Sequence, residues 1–205
     1  MGLKFSYTLL APIYDAMVAS STKAMRISSL QRLDSSSPKH ILINGIGTGL
    51  DIPYLPKQHT YSATDITPAM LDKCKNRIAD HDIKIELHTA DVMQLPFDDN
   101  QFDIVLMNLI LAVAPHPLRA LQEASRVVKP GGKIYIMDKF IKPGQFAPTR
   151  RLMSILMRHI ATRTDVVFEK LLMQCPELDL LKDKPALLSG WFRLIDLQKS
   201  TPSKI

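Results

Sequence analysis

Residues 40–50 read His-Ile-Leu-Ile-Asn-Gly-Ile-Gly-Thr-Gly-Leu, and they constrain this chain more than any other stretch. A short β-branched run breaks into three glycines at alternate positions, Gly45, Gly47 and Gly49. Glycine has no Cβ and tolerates positive φ, so such a turn lets the backbone come close to a ligand. At the carboxyl end of a parallel strand it forms the floor of a nucleotide-type pocket. Asp65 ends the next apolar run, roughly twenty residues on, the distance expected of a carboxylate that receives ribose hydroxyls. A dinucleotide fingerprint would place its third glycine at position 50, but Leu50 is there. That disfavours an NAD-type oxidoreductase.

The hydrophobic pattern around this motif alternates between strand-like and helix-like segments. Residues 5–33 look helical with a break near Pro12, and Leu9, Leu10, Ile13, Met17 and Val18 form an amphipathic stripe. A polar linker at 34–38 follows. Strands are expected at 41–43, 61–64, 83–87, 102–107 and 133–137, with two more around 178–180 and 191–198. Helices are expected from about 50–55, cut short by Pro53 and Pro56, from Thr67-Pro68 to about Asp80, and from Pro117 to Val128. The run Lys129-Pro-Gly-Gly132 stops the last of these. A long Met- and Leu-rich helix is expected over 149–174. Such alternation predicts an α/β fold, a Rossmann-like seven-stranded, mostly parallel sheet with helices on both faces. Its organisation reads as an N-terminal helical lid, 1–36, and a main domain, 37–205.

Bulk properties narrow the partners. Apolar residues make up 46% of the 205, enough for a full core. No run reaches the ~18 apolar residues of a membrane span. Pro12 and Asp15 interrupt any signal-peptide core, so the chain is read as cytoplasmic. Cys74 and Cys175 lie far apart with no CxxC partner and read as isolated reduced thiols. The histidines lack ligand spacing, so no metal is expected. The net charge is +6, with Lys139, Lys142, Arg150, Arg151, Arg158 and Arg163 close together in sequence. That cluster reads as a solvated helix face or a surface for anionic lipid. No aromatics interleave it, so nucleic acid is not an expected partner.

Four blocks, in order and correctly spaced, carry a resemblance. They are Ile41-Leu-Ile-Asn-Gly-Ile-Gly-Thr-Gly49, Ala63-Thr-Asp-Ile-Thr-Pro-Ala-Met-Leu71, Ala90-Asp-Val-Met-Gln-Leu-Pro-Phe-Asp-Asp-Asn-Gln-Phe-Asp103, and Glu123-Ala-Ser-Arg-Val-Val-Lys-Pro-Gly-Gly132. Together they resemble the class I S-adenosylmethionine-dependent methyltransferases, most of all the quinone and phospholipid N-methyltransferase branch. The resemblance implies S-adenosyl-L-methionine as cofactor and a small, hydrophobic or lipid-like acceptor; peripheral membrane contact would follow if the apolar 140–175 surface is open. It implies that Gly45, Gly47 and Gly49 pass beneath the methionyl part and that Asp65 takes both ribose hydroxyls. Ile66 and Met70 would sandwich the adenine. Asp91 would accept from its exocyclic amine, with the Val92 backbone at a ring nitrogen. The Asn108 backbone would face the cofactor's amino-acid group, or Asn108 is simply a strand-ending turn residue.

One position departs from the resemblance. Two residues before the first glycine the family has an acid that helps hold the cofactor's ammonium; here stands Ile43. Strand alternation points Asn44 to the other side, so it cannot substitute. The departure leaves two other functions open: a pseudoenzyme that keeps the fold, or an enzyme that uses the cofactor for chemistry other than methyl transfer. The catalytic group is not marked by any motif. Tyr14 either covers the cofactor or packs the N-terminal helix. His116, on the loop after the fourth strand, is a base or a solvent-facing loop residue. Asp138, at the end of the fifth strand, orients a substrate or pairs with Lys139. The apolar residues Met153, Ile155, Leu156, Met157, Ile160, Leu171, Leu172 and Met173 read as either a greasy acceptor surface or a packed helix.

Overall fold

The computed structural model describes residues 22–33, 36–141, 166–187 and 191–201. Tyr14, the N-terminal stripe, most of the basic cluster and the Met-rich positions 153–160 lie outside the described residues.

Residues 22–30 are helical (α1). Strands follow at His40–Asn44 (β1), Thr60–Asp65 (β2), Lys84–Thr89 (β3), Phe102–Asn108 (β4), Val128–Lys139 (β5), Leu178–Leu187 (β6) and Phe192–Lys199 (β7). Helices are Pro68–Ala79 (α2), Pro117–Val127 (α3) and Phe168–Leu172 (α4). The strands form one sheet in the order β3-β2-β1-β4-β5-β7-β6. The pairs from β3 to β5 are parallel, and β7 runs antiparallel to both β5 and β6. The strand order turns back between β1 and β4, and ligands of open α/β sheets bind outside the carboxyl ends of strands at such a switch point.

Strand alternation sorts the core into two layers. Leu42, Val105, Met107, Ile134 and Ile136 face Ala120, Leu121, Ala124 and Val127 of α3. Ile41, Ile43, Ile104, Leu106 and Tyr135 face Leu30 at the end of α1, Leu33 just beyond it, and Leu71 and Cys74 of α2. Arg32 holds the α1 side to the sheet: it donates to Asp196 at 2.7 Å and to the Ile195 carbonyl at 3.1 Å, and lies over the Tyr135 ring at 4.9 Å. On the other side Lys199 donates to the carbonyls of Ser125 and Val128, at 2.7 and 3.0 Å. It thereby caps the unsatisfied carbonyl end of α3.

The structure corrects three expectations. The segment after Leu50 is one 3₁₀ turn, Ile52–Tyr54, because Pro53 and Pro56 leave no room for an α-helix. No single helix runs over 149–174. Val166 and Val167 are non-helical, the Ile141 N–H donates to the Val166 carbonyl at 2.9 Å, and α4 holds only five residues. β-Branched Val166-Val167 suit that extended stretch. Third, β5 begins at Val128, not at 133, since Pro130-Gly131-Gly132 forms a bulge within the strand. A Cβ on Gly132 would lie 2.8 Å from the Lys129 carbonyl oxygen, so the backbone closes there only over glycine.

β6 likewise outruns its expected end. Its outer residues include Lys182, Asp183, Lys184 and Pro185, which suit an edge strand because charge and proline deter pairing with another chain.

The third and fourth blocks meet in space. Arg126 donates to Glu123 at 2.8 Å, to Asp99 at 2.7 Å, and to the carbonyls of Leu95 and Phe97. Glu123 accepts from the Leu95 N–H at 2.8 Å. α3 thus holds the loop that carries Asp91.

Candidate functional site

A cavity opens over the carboxyl ends of β2, β1 and β4. Arg26, Gly45, Gly47, Asp65, Ile66, Met70, Asn108, Leu109, Ile110 and Val113 are among the residues that line it. Six of the nine residues expected at the cofactor are therefore brought together. Each glycine has a different reason to be glycine. All three have positive φ, +70° at Gly45, +58° at Gly47 and +82° at Gly49. A Cβ on Gly45 would lie 2.5 Å from Ile110 Cδ1, so Gly45 admits the β4–α3 loop. A Cβ on Gly49 would meet Ile52 and Cys74, so Gly49 packs the turn onto α2 and is not part of the cavity wall. At Gly47 nothing lies within 4 Å of the Cβ position: that space is open cavity.

Asp65 organises the turn. Its Oδ2 accepts from the Gly47 N–H at 3.0 Å and its Oδ1 from the Thr67 N–H at 2.8 Å. The Thr67 hydroxyl and the Ile66 N–H also approach this carboxylate. Burial pushes its carboxyl above the ordinary range, and these donors pull it back part-way. Ile66 is 44% exposed beside it, a large apolar side chain open to the cavity, and Met70 below is buried. Thr67 takes the N-cap position of α2 with Pro68 in the first turn, as expected.

Asp91 and Val92 lie outside the cavity wall. The Asp91 carboxylate accepts from the Met93 N–H at 2.9 Å, and Val92 is buried in the core. The Ala90 N–H donates to the Asp65 carbonyl at 3.1 Å, which fixes this loop beside β2. His116 is exposed at the start of α3 and does not line the cavity.

Asp138 is buried and faces protein, not cavity. It accepts from the backbone N–H groups of Ala112 and Lys139, at 2.9 and 2.8 Å, and so braces the β4–α3 loop. Burial pushes its carboxyl up to about 6. Between about pH 4 and 6 the folded chain holds a proton that the unfolded chain has lost, so stability falls as pH rises through that window. A rise from the ordinary aspartate value to about 6 is equivalent to about 3 kcal/mol. Asp138→Asn removes this titration. Relative to the parent chain, its stability in urea melts is expected to improve by about that amount from pH 4 to pH 7. An unchanged difference between the two chains at the two pH values would contradict the assignment.

Sequence reasoning missed a polar chain that starts at the cavity wall and runs behind it. Arg26 donates to Asp51 at 2.8 Å, and the Asn108 side-chain amide donates to the other Asp51 oxygen at 3.0 Å. Ser29 donates to the Asn108 oxygen at 2.8 Å, and Arg32 donates to Ser29 at 2.6 Å. The Arg26–Asp51 and Ser29–Asn108 contacts span 25 and 79 positions, so no local pattern announces them. Leu109, next in line, holds φ +58°, a conformation leucine rarely adopts, and its N–H donates to the Met137 carbonyl at 2.7 Å. Cys74, beneath Gly49, is buried with its thiol pushed up to about 12, and Cys175 to about 11. Both are free, buried thiols.

Residues 42–136 match the model of a methyltransferase domain. Over that span the chain is similar to the methyltransferase domain family. The phosphatidylethanolamine N-methyltransferase of Cereibacter sphaeroides is 23% identical over 190 residues, 91% of this chain and 93% of that one. The ubiquinone/menaquinone biosynthesis C-methyltransferase UbiE of Chromobacterium violaceum is 39% identical over 75 residues, 37% of this chain and 31% of that one. This similarity therefore spans about a third of the UbiE protein. Among solved structures, the [4+2]-cyclase SpnF superposes with a TM-score of 0.75 at 14% identity, covering 95% of this chain and 94% of that one, a likeness of fold. The family's cofactor, S-adenosylmethionine, fits the residues present: an open glycine cradle at Gly47, the Asp65 carboxylate, and the apolar Ile66 and Met70.

Proposed function

We propose that this chain methylates the amine of a phospholipid head group, with a quinone as the second acceptor class. The observation that carries the acceptor is the extent of similarity. The phospholipid enzyme matches over 190 residues, whereas the quinone enzyme matches 75. Asp65 would hold the ribose hydroxyls, and Gly47, with Gly45 beside it, would pass under the sugar and sulfur. Ile66 and Met70 would flank the adenine, Asp91 and Val92 would meet its edge from the adjacent loop, and Asn108 would stand at the amino-acid end. The bound donor supplies a methyl group already activated by its sulfonium. The protein's part is then proximity, orientation and exclusion of water. An unprotonated amine needs no general base, which agrees with the positions of His116 and Asp138.

Residues 1–36 serve in this reading as a cover over the domain 37–205, and Arg26 of α1 lines the cavity. No helix among the described residues is long and apolar enough to cross a membrane. Access to lipid would be peripheral, favoured by the basic residues from Lys139 to Arg163.

Incubation with methyl-labelled donor and vesicles of phosphatidylethanolamine, or vesicles carrying a demethylated quinone, tests the assignment. Label should enter the phosphatidylethanolamine, and more at low than at high salt. Label confined to the quinone would overturn the preferred acceptor. Donor binding without label in either would favour the second reading, cofactor use for other chemistry, which Ile43 in place of an acid supports.

A further inference from the structure

Ile43 is 1% exposed and packs among Leu30, Leu33 and Leu71, so position 43 belongs to the core and offers no charge to a ligand. A carboxylate nevertheless stands close to the cavity. Asp51 lies one hydrogen bond behind the wall, covered by Arg26 and Asn108, both of which line the cavity. We propose that the Arg26–Asp51 ion pair is the subsite for the amino-acid end of the donor, with Arg26 taking its carboxylate and Asp51 its ammonium. This rests on the donor assignment above and names the residues that replace the acid missing at 43.

Three observations converge. The first is sheet order. β1 lies between β2 and β4, so Asp65 and Asn108 end strands on opposite sides of Gly45. With the ribose on Asp65, the rest of the donor extends over Gly45 toward Asn108 and Arg26.

The second is charge. Among the described residues lining the cavity, Arg26 is the cation. The amino-acid end is a zwitterion, and so is the pair Arg26–Asp51. Exchange of partners gives each of the four charges an opposite charge and buries no net charge, which is the condition under which buried ions are tolerated.

The third is the built geometry of the pair. The Asp51 and Arg26 side chains are 5% and 11% exposed. Asp51 is oriented by donors on both oxygens, and the Arg26 Nε donates to Thr22 at 3.0 Å. Both side chains are therefore held in place at the edge of the cavity, where the ligand exchanges partners with them, and Arg26 belongs to α1. Occupancy of this subsite would register in the position of α1.

Calorimetric titration with S-adenosylhomocysteine and with methylthioadenosine, which lacks the amino-acid end, tests the pair. Asp51→Asn and Arg26→Gln should each weaken S-adenosylhomocysteine about tenfold or more, the scale of one charge-assisted hydrogen bond. Both should leave methylthioadenosine within about twofold, and that second ligand also reports a correctly folded pocket. Arg26→Gln supplies the same answer should Asp51→Asn fail to fold. Parental affinity for S-adenosylhomocysteine in both variants would overturn the subsite and leave the donor assignment standing. Equal weakening of both ligands would also overturn it, as a purely structural role. Failure of the parent chain to bind either nucleoside would overturn the donor assignment, and the subsite with it.

Discussion

Gly49→Ala is expected to lower the unfolding free energy by about 3 kcal/mol, whereas Gly47→Ala should cost about 1 kcal/mol and act on ligand affinity instead. The two glycines are two residues apart and share positive φ, so the backbone penalty of a Cβ is common to both. Their surroundings differ. A Cβ on Gly49 would lie 2.5 Å from Ile52 Cδ1 and 2.9 Å from Cys74 Sγ, and both neighbours are buried. Overpacking of this kind typically costs about 1–3 kcal/mol on top of the left-handed backbone. At Gly47 the added methyl meets no protein atom within 4 Å and projects into the cavity. Urea melts and nucleoside titrations of the two variants should therefore show a crossed pattern. Equal loss of stability in both would mean that Gly47 is not the open part of the cradle.

Asp65→Asn should weaken nucleoside binding by about 100-fold. The carboxylate does two jobs. It holds the Gly47 and Thr67 N–H groups, and in the proposed complex it would accept from the ribose hydroxyls. An amide keeps one acceptor oxygen for the turn but loses the charge and replaces the second acceptor with a donor. Two charge-assisted hydrogen bonds at about 1.5 kcal/mol each account for a hundredfold change. Because burial raises the Asp65 carboxyl, affinity should also fall as pH drops toward the carboxylate range, earlier than for an exposed aspartate.

The sequence made the parallel core legible because period-two apolar runs and glycine or proline stops are local signals. β1, β2, β4 and α2 lie where periodicity and the Thr67-Pro68 start place them. Two misplacements have one cause: in sequence, proline and charge read as breaks. Pro130 sits in a bulge and Pro185 on an edge strand, and both are tolerated within a strand there. At the site, Gly45, Gly47, Asp65, Ile66, Met70 and Asn108 were legible because they belong to contiguous blocks at strand ends. The sheet topology alone brings those ends together. Arg26 and Asp51 were not legible. Each looks like an ordinary surface charge in its own segment, and only the seating of α1 across the β1 and β4 ends makes them a pair. Asn108 illustrates the same limit. Its position was visible, but its side-chain role, bridging Ser29 and Asp51, is a tertiary fact.

A nucleoside held across the carboxyl ends of β2, β1 and β4 by the carboxylate of Asp65 is the premise of every functional assignment made for this chain. Calorimetric titration of S-adenosylhomocysteine into the parent chain and into Asp65→Asn tests this most directly. The expected result is saturable one-to-one binding to the parent and about a hundredfold weaker binding to the variant. Equal affinity for the two chains, with both folded, would contradict it.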